Sequence, residues 1–144
     1  MVTKIDHIGI IVQDIKRSLL PYKSLLKLNV EECEEFELEG AVYRLAFLSV
    51  GGLSLELVET SATNGLAAEF LREHGEGIHH IAFEVDDLER TFRELQAKGV
   101  GFVWNEVKDG AKGSKVAYFR PEEFNGIYIE LVQKNGGGTR NRCQ

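Results

Sequence analysis

Two histidines and two glutamates recur at matching places along this chain. His7 stands in Ile5-Asp6-His7-Ile8-Gly9-Ile10 and His80 in Ile78-His79-His80-Ile81-Ala82-Phe83. Glu56 stands in Leu53-Ser54-Leu55-Glu56-Leu57-Val58 and Glu130 in Ile127-Tyr128-Ile129-Glu130-Leu131-Val132. Imidazole nitrogens and carboxylate oxygens together suit one divalent ion, and zinc, cobalt, manganese, nickel and iron are all compatible with that donor set. Four protein ligands leave two positions of a six-coordinate ion for water or for two substrate oxygens, which is the pattern of a catalytic centre more than a structural one. Taken singly, a histidine on an apolar strand is usually a hydrogen-bonded core residue and a strand glutamate is usually exposed. Recurrence of both types at corresponding positions favours the metal.

Strand alternation sharpens this expectation. Leu53, Leu55 and Leu57 share one face and Ser54, Glu56 and Val58 the other; in the second copy Ile127, Ile129 and Leu131 lie opposite Tyr128, Glu130 and Val132. The aliphatic faces are expected to pack on helices. The glutamate faces then look into a sheet interior, where a carboxylate is costly unless it is paired, protonated or bound to a cation. By the same parity His79 points away from His80, and His79 and His74 are assigned structural or exposed roles.

The elements that must carry these residues follow the chain twice. Residues 4–12 read as a strand buried on both sides, with Ile5, His7, Gly9 and Ile11 on one face and Asp6, Ile8, Ile10 and Val12 on the other. Asp14 caps a helix with an apolar face of Ile15, Leu19, Tyr22, Leu25 and Leu26, which Pro21 is expected to kink or split. The glutamate-rich stretch 29–39 reads as an exposed edge strand. Residues 42–50 and 53–59 form a hairpin turned at Gly51-Gly52. A linker helix over 61–75 takes Thr63 or Asn64 as cap and stops at Gly75. An offset of 73 then pairs His7 with His80, Val12 with Val85 and Asp14 with Asp87, so a second helix runs from Asp87 to Lys98, followed by strands near 101–107, 115–120 and 126–133. The order is strand, helix, three strands, repeated: an α+β chain with module one at 4–59 and module two at 78–133, within a single domain spanning 1–134. Residues 135–144 hold no apolar anchor and are expected to form a disordered tail.

Composition adds mainly exclusions. A formal net charge of -6 over 144 residues argues against nucleic acid or an anionic membrane as the main partner. There is no apolar run of membrane-spanning length and no signal-like N-terminus, so a cytoplasmic location is the default expectation. Cys33 and Cys143 are expected to be unpaired, chemically idle thiols.

The duplicated Ile-x-His-Ile with a later Ile/Leu-Glu-Leu resembles the vicinal oxygen chelate superfamily, which includes glyoxalases, extradiol dioxygenases and bleomycin-resistance proteins. Within it, Gly75-Glu76-Gly77-Ile78-His79-His80-Ile81-Ala82 with Gly126-Ile127-Tyr128-Ile129-Glu130-Leu131 is similar to the methylmalonyl-CoA epimerase family, over nearly everything from Lys4 to Gln133. The resemblance implies two βαβββ modules curled into a half-open mixed β-barrel around one divalent metal, with His7, Glu56, His80 and Glu130 as its ligands. It implies an acyl-CoA substrate, a homodimer, and an epimerisation at C2 that needs a proton carrier on each face of a planar enolate. Glu130 is one carrier, and Glu39 is preferred to Glu37 as the other. The sequence departs from the epimerase pattern where Glu56 replaces a frequent glutamine and where Arg120-Pro121 replaces His-Pro. Lys112, Lys115 and Arg120 could meet coenzyme A phosphates, but a solvated basic surface is the preferred reading for any one of them. A glutathione-dependent glyoxalase, an extradiol dioxygenase and a metal-free drug-binding protein are the rival functions. The dioxygenase has no need of Glu56, and the binding protein no need of the four ligands together.

Overall fold

The computed structural model describes residues 1–135; the expected tail lies outside the described residues except for Asn135. The element order is β1 (Val2–Ile11), α1 (Ile15–Ser24), β2 (Val30–Leu38), β3 (Ala41–Val50), β4 (Leu53–Thr60), α2 (Leu66–His74), β5 (Gly77–Val85), α3 (Leu88–Ala97), β6 (Lys108–Asp109), β7 (Lys115–Tyr118) and β8 (Tyr128–Gln133). This is the βαβββ pattern read twice with a linker helix between, and the fold is α+β. Among the described residues no helix is long and apolar enough to cross a membrane. By contact density the described residues form two compact units, Ile8–His79 and a second comprising Met1–His7 with residues 80–135.

In the Ile8–His79 unit the strand order is β2-β3-β4-β1. The β2-β3 and β3-β4 pairs are antiparallel, and β2 is an edge strand as its five glutamates suggest. Gly51 and Gly52 both take positive φ, 56° and 83°, which a two-residue turn matching the strand twist requires. Asp14 caps α1 by accepting from the Arg17 N–H at 3.0 Å. Ile15 and Leu19 then bury against Ala46, Leu48 and Leu57, with Tyr22 and Leu55 at the margin, so the aliphatic face of β4 meets the helix as its parity requires. Pro21 does not split α1, which ends one turn later at Ser24. Leu25 and Leu26, expected on the apolar face, fall beyond that end and are exposed. The helical period that placed them inward no longer applies there. Residue 65, not Thr63 or Asn64, caps α2, and no side chain bonds to its first turn. Cys33 is disulfide-bonded, against the expectation of an idle thiol; Cys143 lies outside the described residues.

In the other unit the order is β1-β5-β8-β7-β6, mixed in direction: β5 and β8 are parallel, β7 and β8 antiparallel. Asp87 caps α3 through the Arg90 N–H at 3.1 Å, repeating the device at Asp14. Leu88 and Phe92 of α3 pack on Ile129 and Leu131 of β8. The strand expected over 101–107 is reduced to a single bridge between Phe102 and Phe119, with β6 two residues long. The Phe102 ring lies 4.4 Å from Phe92 and 4.8 Å from Phe119, centroid to centroid, so core packing holds this segment in place of a ladder. Nor is β1 buried throughout, because Val2–Ile5 are exposed and burial begins at Asp6.

Leu57 is fully buried between β3 and α1. Leu57→Ala should therefore lower unfolding free energy by about 2–5 kcal/mol, from lost transfer energy and the cavity left behind. Urea denaturation followed by circular dichroism measures it.

Candidate metal centre

In the unit that holds residues 1–7 and 80–135, three of the expected ligands converge. β5 and β8 pair in parallel with Ala82 opposite Glu130, and β7 pairs antiparallel to β8 with Tyr118 opposite Glu130. Parity therefore sets His80, Ala82, Tyr118, Glu130 and Val132 on one face of the sheet, away from the α3 core. His7 Nε2 lies 3.1 Å from His80 Nε2 and 3.6 Å from Glu130 Oε2, and His80 Nε2 lies 3.1 Å from the same Oε2. His7, His80 and Glu130 are all at most 5% exposed.

The protonation states follow from the partners. Asp6 Oδ2 lies 2.8 Å from His7 Nδ1 and Asp6 Oδ1 lies 2.6 Å from Lys134 Nζ. Burial pushes the Asp6 carboxyl up, but the hydrogen bonds and charges of His7 and Lys134 outweigh it and bring the pKa down to about 2. An ionised carboxylate only accepts, so His7 donates from Nδ1, and its Nε2 carries a lone pair when the ring is neutral. Glu130 is likewise held below the ordinary glutamate range: desolvation opposes this, while bonds and charges from His7, His80 and Tyr118 prevail. With His7 neutral, an imidazole lone pair and a carboxylate oxygen, both acceptors, are directed at one place beside a second imidazole nitrogen. Either a proton on His80 or a cation must fill that role.

The donor set fits a divalent ion. Ligand atoms bonded at about 2.0–2.2 Å to one ion stand about 3–3.5 Å apart, and the three separations measured here fall close to that range. Asp6 acts on His7 as an outer carboxylate acts on a metal-bound imidazole, fixing its tautomer and ring orientation.

Glu56, the fourth expected ligand, belongs to the Ile8–His79 unit. It is buried on β4, in register with Phe47, on the strand face opposite Leu55 and Leu57. Glu39 sits in the exposed turn joining β2 to β3, with φ of 50°, and Glu37 is exposed on β2 opposite Val42. Of the basic residues, Lys115 faces Glu89 at 3.7 Å and Arg120 Nε donates to the Phe102 carbonyl at 3.2 Å. His79 is buried with its ring 5.1 Å from Phe70, a packing role, and His74 is exposed. Sequence reasoning missed Asp6, Lys134 and Tyr118. Asp6 was assigned to the face opposite His7, and only its adjacency to a histidine in a buried strand could have signalled it.

Comparison with known proteins bears on the family and the fold. Residues 6–118 match the family described as the Glyoxalase/Bleomycin resistance protein/Dioxygenase superfamily. The uncharacterized protein YqjC of Bacillus subtilis is 33% identical, the match covering 92% of this chain and 94% of that protein. An ethylmalonyl-CoA/methylmalonyl-CoA epimerase of Cereibacter sphaeroides is 28% identical, covering 92% of this chain and 99% of the enzyme. Among solved structures, a variant of Streptomyces coelicolor methylmalonyl-CoA epimerase in complex with 2-nitronate-propionyl-CoA superposes with a TM-score of 0.85 at 30% identity, covering 94% of this chain and 100% of that one.

Two outcomes are expected of Asp6→Asn. Because the folded pKa of Asp6 is depressed from 3.8 to about 2, the stability it contributes is present above that ordinary value and lost as pH falls towards 2. The stability gap between wild type and variant in metal-free protein should therefore be widest above pH 4 and close on acidification, as measured by urea denaturation across pH. Co²⁺ affinity at neutral pH should fall about 10–100-fold, measured by titration of the visible absorption band.

Proposed function

Because the chain belongs to the glyoxalase/bleomycin resistance protein/dioxygenase superfamily, we propose that it is a metal-dependent epimerase acting at C2 of methylmalonyl-CoA or a similar 2-substituted acyl-CoA thioester. The observation that carries this reading is the convergence of His7 Nε2, His80 Nε2 and Glu130 Oε2, buried and mutually 3.1–3.6 Å apart. Similarity to epimerases over nearly the whole chain supports the reaction class. The proposed ligand set is His7, Glu56, His80 and Glu130. Glu56 enters it because it repeats Glu130 in the sequence, is buried, and lies on the corresponding strand face, where an uncompensated carboxylate would be costly.

A divalent ion bound to these residues would supply electrostatic stabilisation for the negative charge that develops on the substrate's thioester and carboxylate oxygens. The protein's own groups then move the proton. Glu130, held ionised by two imidazoles despite its burial, accepts the C2 proton from one face of the substrate. Return of a proton to the other face inverts C2, and this role is assigned to Glu39. Alternation from Cys33 places Glu37 on the β2 face that packs towards α1, and Glu39 lies in the turn beyond the end of the strand. Asp6 and Lys134 keep His7 in one tautomer throughout, so its Nε2 remains a ligand and does not become an acid.

The test is proton exchange at C2 of methylmalonyl-CoA in deuterated water, with protein loaded in turn with cobalt, manganese, nickel and zinc. Exchange and inversion are expected with at least one ion. Glu130→Gln should lose both by about 10²–10⁴-fold. Glu39→Gln should keep exchange on one face while losing inversion. No exchange with any of these ions, together with turnover of the methylglyoxal–glutathione adduct, would reassign the chain to glyoxalase chemistry.

A further inference from the structure

Tyr118 touches two of the three converging side chains and has no place in the ligand set. Tyr118 stands directly opposite Glu130 across the β7-β8 pair, and its hydroxyl is among the groups that hold the Glu130 carboxyl below the ordinary glutamate range. Its ring meets the His80 imidazole edge to face, centroids 5.5 Å apart and planes at 86°. On its other flanks the ring meets Trp104, also at 5.5 Å and 87°, and Tyr128 at 6.4 Å and 82°. These contacts restrict the tyrosine ring before its hydroxyl reaches Glu130.

We propose that Tyr118 is a positioning residue that fixes the Glu130 carboxylate against His7 and His80, and thereby sets the geometry of the ligand set. The inference rests on reading those three residues as one centre. A glutamate has three rotatable torsions, and the two imidazoles hold only its Oε2 in the structure. A phenol donor on a neighbouring strand supplies the additional restraint, from a ring whose own orientation is limited by three aromatic neighbours. Ordering a long side chain in advance removes that entropic cost from ligand binding. Outer hydrogen bonds of this kind typically change metal affinity tenfold to a hundredfold. The phenylalanine variant separates this role from packing, because it keeps the ring and removes only the hydroxyl.

Tyr118→Phe should retain the far-ultraviolet circular dichroism of the wild type and lose Co²⁺ affinity about 10–100-fold. In a Glu130→Gln background the same change should have little further effect, since the hydroxyl acts through the carboxylate. Equal losses in both backgrounds, or none in either, would overturn the proposal. A crystal structure of metal-free Tyr118→Phe gives a readout independent of metal and activity. Glu130 should leave the contact with His7 and His80, and an unmoved carboxylate would overturn the proposal even if the acyl-CoA reading failed. If Glu130 moves in that structure while the wild type exchanges no C2 proton with any metal, the positioning role stands and the reaction assignment alone is lost.

Discussion

A buried place where two imidazoles and a carboxylate meet is the constraint behind the rest of this structure. His7 Nε2, His80 Nε2 and Glu130 Oε2 stand at separations where hydrogen bonds or metal ligation must intervene, and none of the three groups is accessible enough for bulk water to take that place. Removing a carboxylate from water is expensive, and the expense is offset only by a cation or by donors in good geometry. Asp6 makes the constraint firmer. By taking the His7 Nδ1 proton as an acceptor, it prevents that ring from offering a proton at Nε2 unless the imidazole becomes charged.

The fold delivers these groups by parity and packing. Each βαβββ repeat buries an aliphatic strand face on its own helix, Leu57 against Ile15 and Leu19 in one unit and Leu131 against Leu88 and Phe92 in the other. That burial leaves a single orientation for the alternate residues. A one-residue slip of β8 would turn Glu130 into the α3 core and Leu131 out of it, so the hydrophobic pattern fixes the polar one. The capping aspartates Asp14 and Asp87 hold each helix start at the same place in its repeat.

Most of this architecture was legible in the amino-acid pattern because it rests on periodicities. The paired histidines, the alternation around Glu56 and Glu130, the hairpin at Gly51-Gly52 and both helix caps are local signals with one mechanical reading each. What could not be read depends on contacts distant in sequence. Phe102 substitutes ring packing for a strand ladder because Phe92 and Phe119 reach it, and no local pattern announces that. Leu25 and Leu26 continue a helical spacing past the point where the helix stops. Asp6 lies by strand parity on the face opposite His7, yet its carboxylate reaches the adjacent imidazole; Lys134, 128 positions later, is placed beside it only by the fold. Tyr118 becomes visible as a partner of Glu130 only once the β7-β8 register is known.

The account therefore reduces to whether these imidazoles and carboxylates bind one ion together. X-ray absorption at the metal edge of the Co²⁺-loaded protein tests this most directly. The account predicts a first shell of nitrogen and oxygen at about 2.0–2.2 Å with outer-shell scattering from two imidazole rings, lost in part when either His7 or His80 is replaced by alanine. A cobalt shell of oxygen alone, with no imidazole scattering, would contradict it.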